Sequence, residues 1–158
     1  MYKIPISVLV VIHSADRQVL LLERADAPGY WQSVTGSQDV GESLRETAIR
    51  EVAEETGLDA GQFELRDWNL INRFEIFERW RHRYAPGVTH NDEHVFGLLL
   101  PAPRPVTLSP REHLNQIWLP WRQAADRCFS WSNAAAIRRL GEAEPLGGGA
   151  GEGPRPEL

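Results

Sequence analysis

Three glutamates, Glu51, Glu54 and Glu55, stand at positions i, i+3 and i+4 within the stretch GSQDVGESLRETAIREVAEETGL, which runs from Gly36 to Leu58. On a helix they share one sector of the surface, and like charges so placed cost roughly a few tenths of a kcal/mol even when solvated. A hard divalent cation reverses that sign. Mg²⁺ takes a few carboxylate oxygens together with waters and substrate phosphates, which a helix edge beside an open cleft can offer. A bare run of glutamates is ordinarily a solvated face, so the surrounding spacing decides.

The helix that would carry these acids is bounded by local chemistry. Ser43 and Glu46, three residues apart, form a capping box in which each side chain closes backbone donors left free by the first turn. The helix therefore starts near Ser43. Gly57 suits the left-handed conformation that ends a helix, and Leu58 after it supplies the accompanying apolar contact, so the helix stops near Thr56. Between these ends Ala48, Ile49 and Val52 form the packing sector, and the acids occupy the neighbouring one, over an edge.

With 158 residues the chain suits one domain. Its net charge of −5 argues against nucleic acid or an anionic membrane as the main partner, so an anionic ligand needs local cations. A single cysteine, Cys128, excludes an internal disulfide and reads as buried filler in a reducing compartment. The start of the chain lacks a signal-peptide pattern and no run approaches a membrane span, which predicts a cytoplasmic protein. The sequence sets no oligomeric state.

The other elements follow from apolar patterning. Ile4 to His13 is a continuous apolar, β-branched run, predicted as the central strand, and Val19 to Glu23, a strand closed by Arg24, pairs with it as a hairpin. Tyr30 to Thr35 is a short extended piece leading into the acidic stretch. Phe63 to Phe77 predicts one or two strands with a break near Asn72, Glu93 to Leu100 another, and Glu112 to Leu119 the last. A basic and aromatic cluster, Arg79 to Tyr84, lies between them and reads equally as a surface or as a phosphate site. Pro120 opens a helix to Cys128, and Ser132 is expected to cap another over 133–140. From Gly141 the chain is rich in glycine and proline with little to bury, which predicts a domain over 1–140 and a disordered tail over 141–158.

The spacing around the acids is a signature. Gly36, five residues, Glu42, seven residues, then Arg50-Glu51-Val52-x-Glu54-Glu55-x-Gly57-Leu58 resembles the box of the Nudix hydrolases without a gap. Where many members have Pro-Gly-Gly, this chain has Thr35-Gly36-Ser37. The segments YKIPISVLVVIH, YWQSVTGSQDVGE, FEIF, RHRYAPGVT and SWSN resemble, further, the branch of that family acting on dihydroneopterin triphosphate, over residues 2–140.

The resemblance implies an α/β fold, an α/β/α sandwich around a mixed sheet, and a cleavage that yields dihydroneopterin monophosphate and pyrophosphate on the way to folate. It implies Mg²⁺, with Mn²⁺ as an alternative, held by Glu51, Glu54 and Glu55 and by Glu112 outside the box. Arg50 would brace the acids, and Glu54 and Glu112 are both candidates for the base. Lys3, Arg24, Thr35, Arg81, His82, Arg83, Tyr84 and Ser130 map onto substrate-contacting positions. Trp31 or Tyr84 would stack on the flat ring. The expected partner is a small-molecule triphosphate. Two alternatives are a nucleoside triphosphate pyrophosphatase, since pterin and guanine share a hydrogen-bonding edge, and a silent binding module, which would be expected to lose box acids.

Overall fold

The run predicted to be central is central. In the computed structural model, which describes residues 1–142, β1 (Ile6–Ser14) is buried along nearly its whole length and has neighbours on both sides. On one side β6 (His90–Leu100) pairs with it in parallel, and β5 (Glu64–Glu75) pairs antiparallel with β6. On the other side β2 (Gln18–Arg24) meets β1 at a single partner pair, His13 with Val19, and the hairpin then splays open. Two short strands occupy the opening: β3 (Trp31–Gln32) pairs with β2, and β4 (Val34–Ser37) pairs with β1. The extended piece before the acidic stretch is thus two strands. β7 (His113–Pro120) pairs with β2 and completes a mixed sheet.

Successive β1 side chains point to opposite faces, and each face has its own cover. Val8, Val10 and Ile12 pack with Ala48 and Val52 of α1 (Leu44–Thr56). Leu9 and Val11 pack with Ala124 and Ala125 of α2 (Trp121–Arg127) and with Ala136 and Ile137 of α3 (Trp131–Glu142). The α/β/α sandwich is as expected. The caps of α1 are also as expected: Ser43 Oγ accepts from Glu46 N at 3.1 Å, Glu46 Oε1 accepts from Ser43 N at 2.8 Å, and Gly57 is left-handed with φ +74°.

Some details differ. β5 is one strand, and its irregularity lies between Asp67 and Leu70 rather than near Asn72. Asn69 takes φ +54° there, a conformation asparagine tolerates, while the Trp68 indole covers Gly97 so closely that a Cβ would meet it at 2.4 Å. β6 begins at His90, three residues earlier than predicted. Ser130, not Ser132, caps α3: its Oγ accepts from Asn133 N at 3.3 Å, and Ser132 is buried within the first turn. That helix runs on past the predicted end to Glu142, and the Trp121 ring fills the place a side chain at Gly141 would need. Residues 143–158 of the predicted tail lie outside the described residues. Burial pushes the Cys128 thiol up to about 12, an inert group. No helix among the described residues is long and apolar enough to cross a membrane.

Candidate active site

The three box glutamates do not all stand over an open edge. Glu51 and Glu55 are buried, at 8% and 2% exposure, and only Glu54 faces solvent. Burial raises both buried carboxyls above the usual range; the Glu51 charge beside it raises Glu55 further, while the hydrogen bond with Glu55 and the Arg50 charge offset part of the rise at Glu51. Glu55 Oε1 has no hydrogen-bond partner. His113 Nε2 stands 3.5 Å from it but burial holds that imidazole neutral, pushed down to about 4, so it brings no positive charge.

Arg50 organises the rest of the box. Its guanidinium bonds Glu42 twice, at 2.7 and 2.9 Å, Glu51 Oε1 at 2.7 Å, and the Ser37 carbonyl at 3.0 Å, with Glu54 at 3.4 Å. It holds the Glu42 carboxyl down at about 2. Both the loop after Gly36 and the acid edge of α1 are therefore tied to one rigid fork.

The residues fit a divalent cation. Arg50 compensates Glu51, but Glu55 beside it is buried with an orphaned oxygen and no cation of its own among the described residues, and hard oxygen ligands with room for water suit such an ion. Among the described residues no group of three acids, histidines or cysteines is drawn together into a closed metal cluster. Glu54 turns toward Arg50, and Glu112 is exposed on the loop before β7.

A cleft of about 420 Å³ opens where β1 and β2 part. Of the residues predicted from sequence, Lys3, Arg24, Thr35, Glu55, Arg83, Tyr84, Glu112 and Ser130 line it. Lys3 is pinned through its backbone N to the Arg83 carbonyl at 2.9 Å, and burial, with Arg83 beside it, lowers its ammonium's affinity for the proton. Arg24 forks onto Asp26 at 2.7 Å through two nitrogens and lies 4.4 Å over the Trp80 ring. Arg83 reaches the same aspartate at 3.2 Å, and Arg24 holds that carboxyl down at about 2.

Arg81 and His82 do not line this cleft. They face a separate depression beside the Ala85–Pro86–Gly87 turn, and Arg81 is engaged by Glu75 at 2.9 Å and by the Ile76 carbonyl. The segment Glu78–Arg83 is a 3-10 helix, in which residues three apart eclipse. Phe77, Trp80 and Arg83 thus share the cleft side while the two residues between turn away. Trp31 is not a cleft residue either: it packs against the α2 and α3 layer, with Arg127 5.8 Å from its ring. The aromatic wall is Phe77, Trp80 and Phe129, whose centroids lie 5.3 to 6.1 Å apart. The spacing of Phe77, Trp80 and Arg83 was a signal the sequence offered.

Other cleft residues had no local signal. Asn133 bridges to β3–β4, accepting from Ser33 N at 2.8 Å and donating to Ser33 Oγ at 3.0 Å. Asn91 donates to Ser7 Oγ at 2.7 Å. Glu93 is buried beside them, and burial pushes its carboxyl up to about 7, offset only in part by Ser132 and Asn72.

Residues 3–140 match the model of the NUDIX domain. The chain is 48% identical over 142 residues to the dihydroneopterin triphosphate diphosphatase of Escherichia coli strain K12, covering 88% of this chain and 93% of that one. It is 41% identical over 141 residues to the protein of the same name from Haemophilus influenzae, covering 87% and 88%. The solved structure of the E. coli dihydroneopterin triphosphate pyrophosphohydrolase superposes with a TM-score of 0.84 over 89% of this chain and 97% of that one.

Proposed function

The chain belongs to the Nudix family of hydrolases, and on that premise we propose that it hydrolyses dihydroneopterin triphosphate between the α and β phosphates, releasing dihydroneopterin monophosphate and pyrophosphate. The observation that carries this reading is the cleft itself, where Lys3, Arg24 and Arg83 stand along one wall and Glu55 and Glu112 line the same space. A cationic wall beside uncompensated carboxylates suits a polyphosphate that arrives with a divalent ion.

Family members generally use divalent metal ions, and Mg²⁺ is the proposed ion here, replaceable by Mn²⁺. When bound it supplies charge to the phosphate oxygens and acidifies water. Glu51 and Glu55 are its proposed holders, with Glu54 and the cleft-lining Glu112 as further acids. Arg50 fixes the direction of Glu51 and Glu54 by the bonds described above. Lys3, Arg24 and Arg83 neutralise the triphosphate oxygens, and Tyr84, Thr35 and Ser130 bound the channel in which the substrate lies. Glu54 and Glu112, both exposed, are the proposed candidates for the base that takes the proton of the attacking water. Arg81, engaged by Glu75 and Ile76, supports the 3-10 segment rather than the phosphates.

The persistence of every box acid favours catalysis over a binding role. A panel of dihydroneopterin triphosphate, GTP and dATP assayed with Mg²⁺ tests the proposal. The pterin should show a kcat/KM at least about tenfold above either nucleotide. Equal values would move the protein to nucleotide hydrolysis.

A further inference from the structure

We propose that Glu93 reads the substrate's ring, its carboxylate accepting paired hydrogen bonds from the ring N–H and the neighbouring exocyclic amine of a 2-amino-4-oxo bicycle. This rests on the pterin-triphosphate reading above and deepens it. Glu93 sits on β6 opposite Ser7 of β1 and Asn72 of β5, and it lines the cleft at 5% exposure. Its Oε1 is buried without a hydrogen-bond partner. No arginine, lysine or histidine pairs with it among the described residues. A buried acceptor left in that state costs free energy, and a ligand that brings donors removes the cost.

The surroundings match a donor edge. Asn91 donates its amide to Ser7, which leaves Asn91 Oδ1 as a second buried acceptor without a partner on the cleft wall. Asn133, held on both its amide atoms by Ser33, stiffens that wall. Glu93 and Asn91 thus both line the cleft, each with a buried acceptor that lacks a partner, while Ser132 and Asn72 offset only part of the burial of the Glu93 carboxyl. A pterin presents adjacent N–H and amine donors, and guanine presents the same pair. Adenine presents a ring-nitrogen lone pair instead, which a carboxylate repels. Phosphate contacts are common to every triphosphate, so a reader of this kind is where selectivity arises.

The test is Glu93→Gln, which keeps the shape but puts an amide donor where an acceptor is needed, with Glu93→Asp as a second variant that keeps the carboxylate. Wild type and both variants are assayed with Mg²⁺ on dihydroneopterin triphosphate, GTP and ATP. For Glu93→Gln, kcat/KM should fall roughly tenfold or more for the two 2-amino-oxo substrates, chiefly through KM, while the ATP value holds or rises. Glu93→Asp should recover part of that loss. An equal fall on all three substrates, or no change on any, would overturn the inference. The wild-type row judges the underlying reading separately: GTP exceeding the pterin sinks that reading but leaves the ring-edge role standing if Glu93→Gln still costs activity on GTP. Wild-type preference for ATP would sink both.

Discussion

Gly36 lies so close to Glu51 that a Cβ on it would stand 2.1 Å from the Glu51 carboxyl carbon. A side chain there would displace the carboxylate that Arg50 holds and that Glu55 neighbours. Gly36→Ala should leave a folded protein whose turnover falls more than about tenfold, measured by kcat alongside a melting curve. Full activity in Gly36→Ala would show that Glu51 need not occupy its observed position.

The buried carboxylate pair predicts a link between metal and stability. Adding Mg²⁺ to the wild type should raise its melting temperature, and at about 100 times the dissociation constant the gain is about 2.7 kcal/mol. EDTA should remove both that gain and the activity. Glu55→Gln should abolish turnover and flatten the melting response to Mg²⁺. A variant that keeps the full thermal response would remove Glu55 from the site.

Arg50→Lys tests the fork. One ammonium cannot bond Glu42 twice and also reach Glu51 and the Ser37 carbonyl, so the loop and the helix edge lose their common tie. The expected cost is on the order of 1 to 3 kcal/mol in chemical denaturation, with reduced kcat. Unchanged stability would make the network a surface ornament.

Glu93 makes a prediction about pH. Its folded value, about 7, lies above the ordinary 4.5, so the folded state binds the proton more tightly. The stability this confers is complete below about pH 4.5 and lost as pH rises through about 7. Glu93→Gln, which never ionises, should therefore melt higher than wild type at pH 8, by on the order of 1 to 3 kcal/mol, and equal it near pH 4. A variant less stable than wild type at pH 8 would show that the carboxylate is satisfied within the protein.

What could be read from sequence was what local chemistry determines. Ser43, Glu46 and Gly57 define the ends of α1 within a few residues of themselves, and the apolar run after Pro5 needs only its own composition to become the central strand. Chain-distant relationships were not legible. That Glu51 and Glu55 are buried follows from Gly36 and β4 closing over them, not from their spacing. The turning away of Arg81 and His82 depends on a 3-10 phase rather than an α-helical one. Glu93 reads as one more polar residue at a strand start until the registers of β5, β6 and β1 set it beside Asn72 and Ser7. Trp31 looked like a stacking partner because it precedes the box, yet the splay of β1 and β2 sends its ring to the helical layer.

The central claim is the bond that breaks. Phosphorus NMR of dihydroneopterin triphosphate incubated with the full-length protein and Mg²⁺ should show pyrophosphate and dihydroneopterin monophosphate appearing together in equal amounts. Release of orthophosphate, or an unchanged pterin triphosphate in samples where GTP or dATP is consumed, would contradict it.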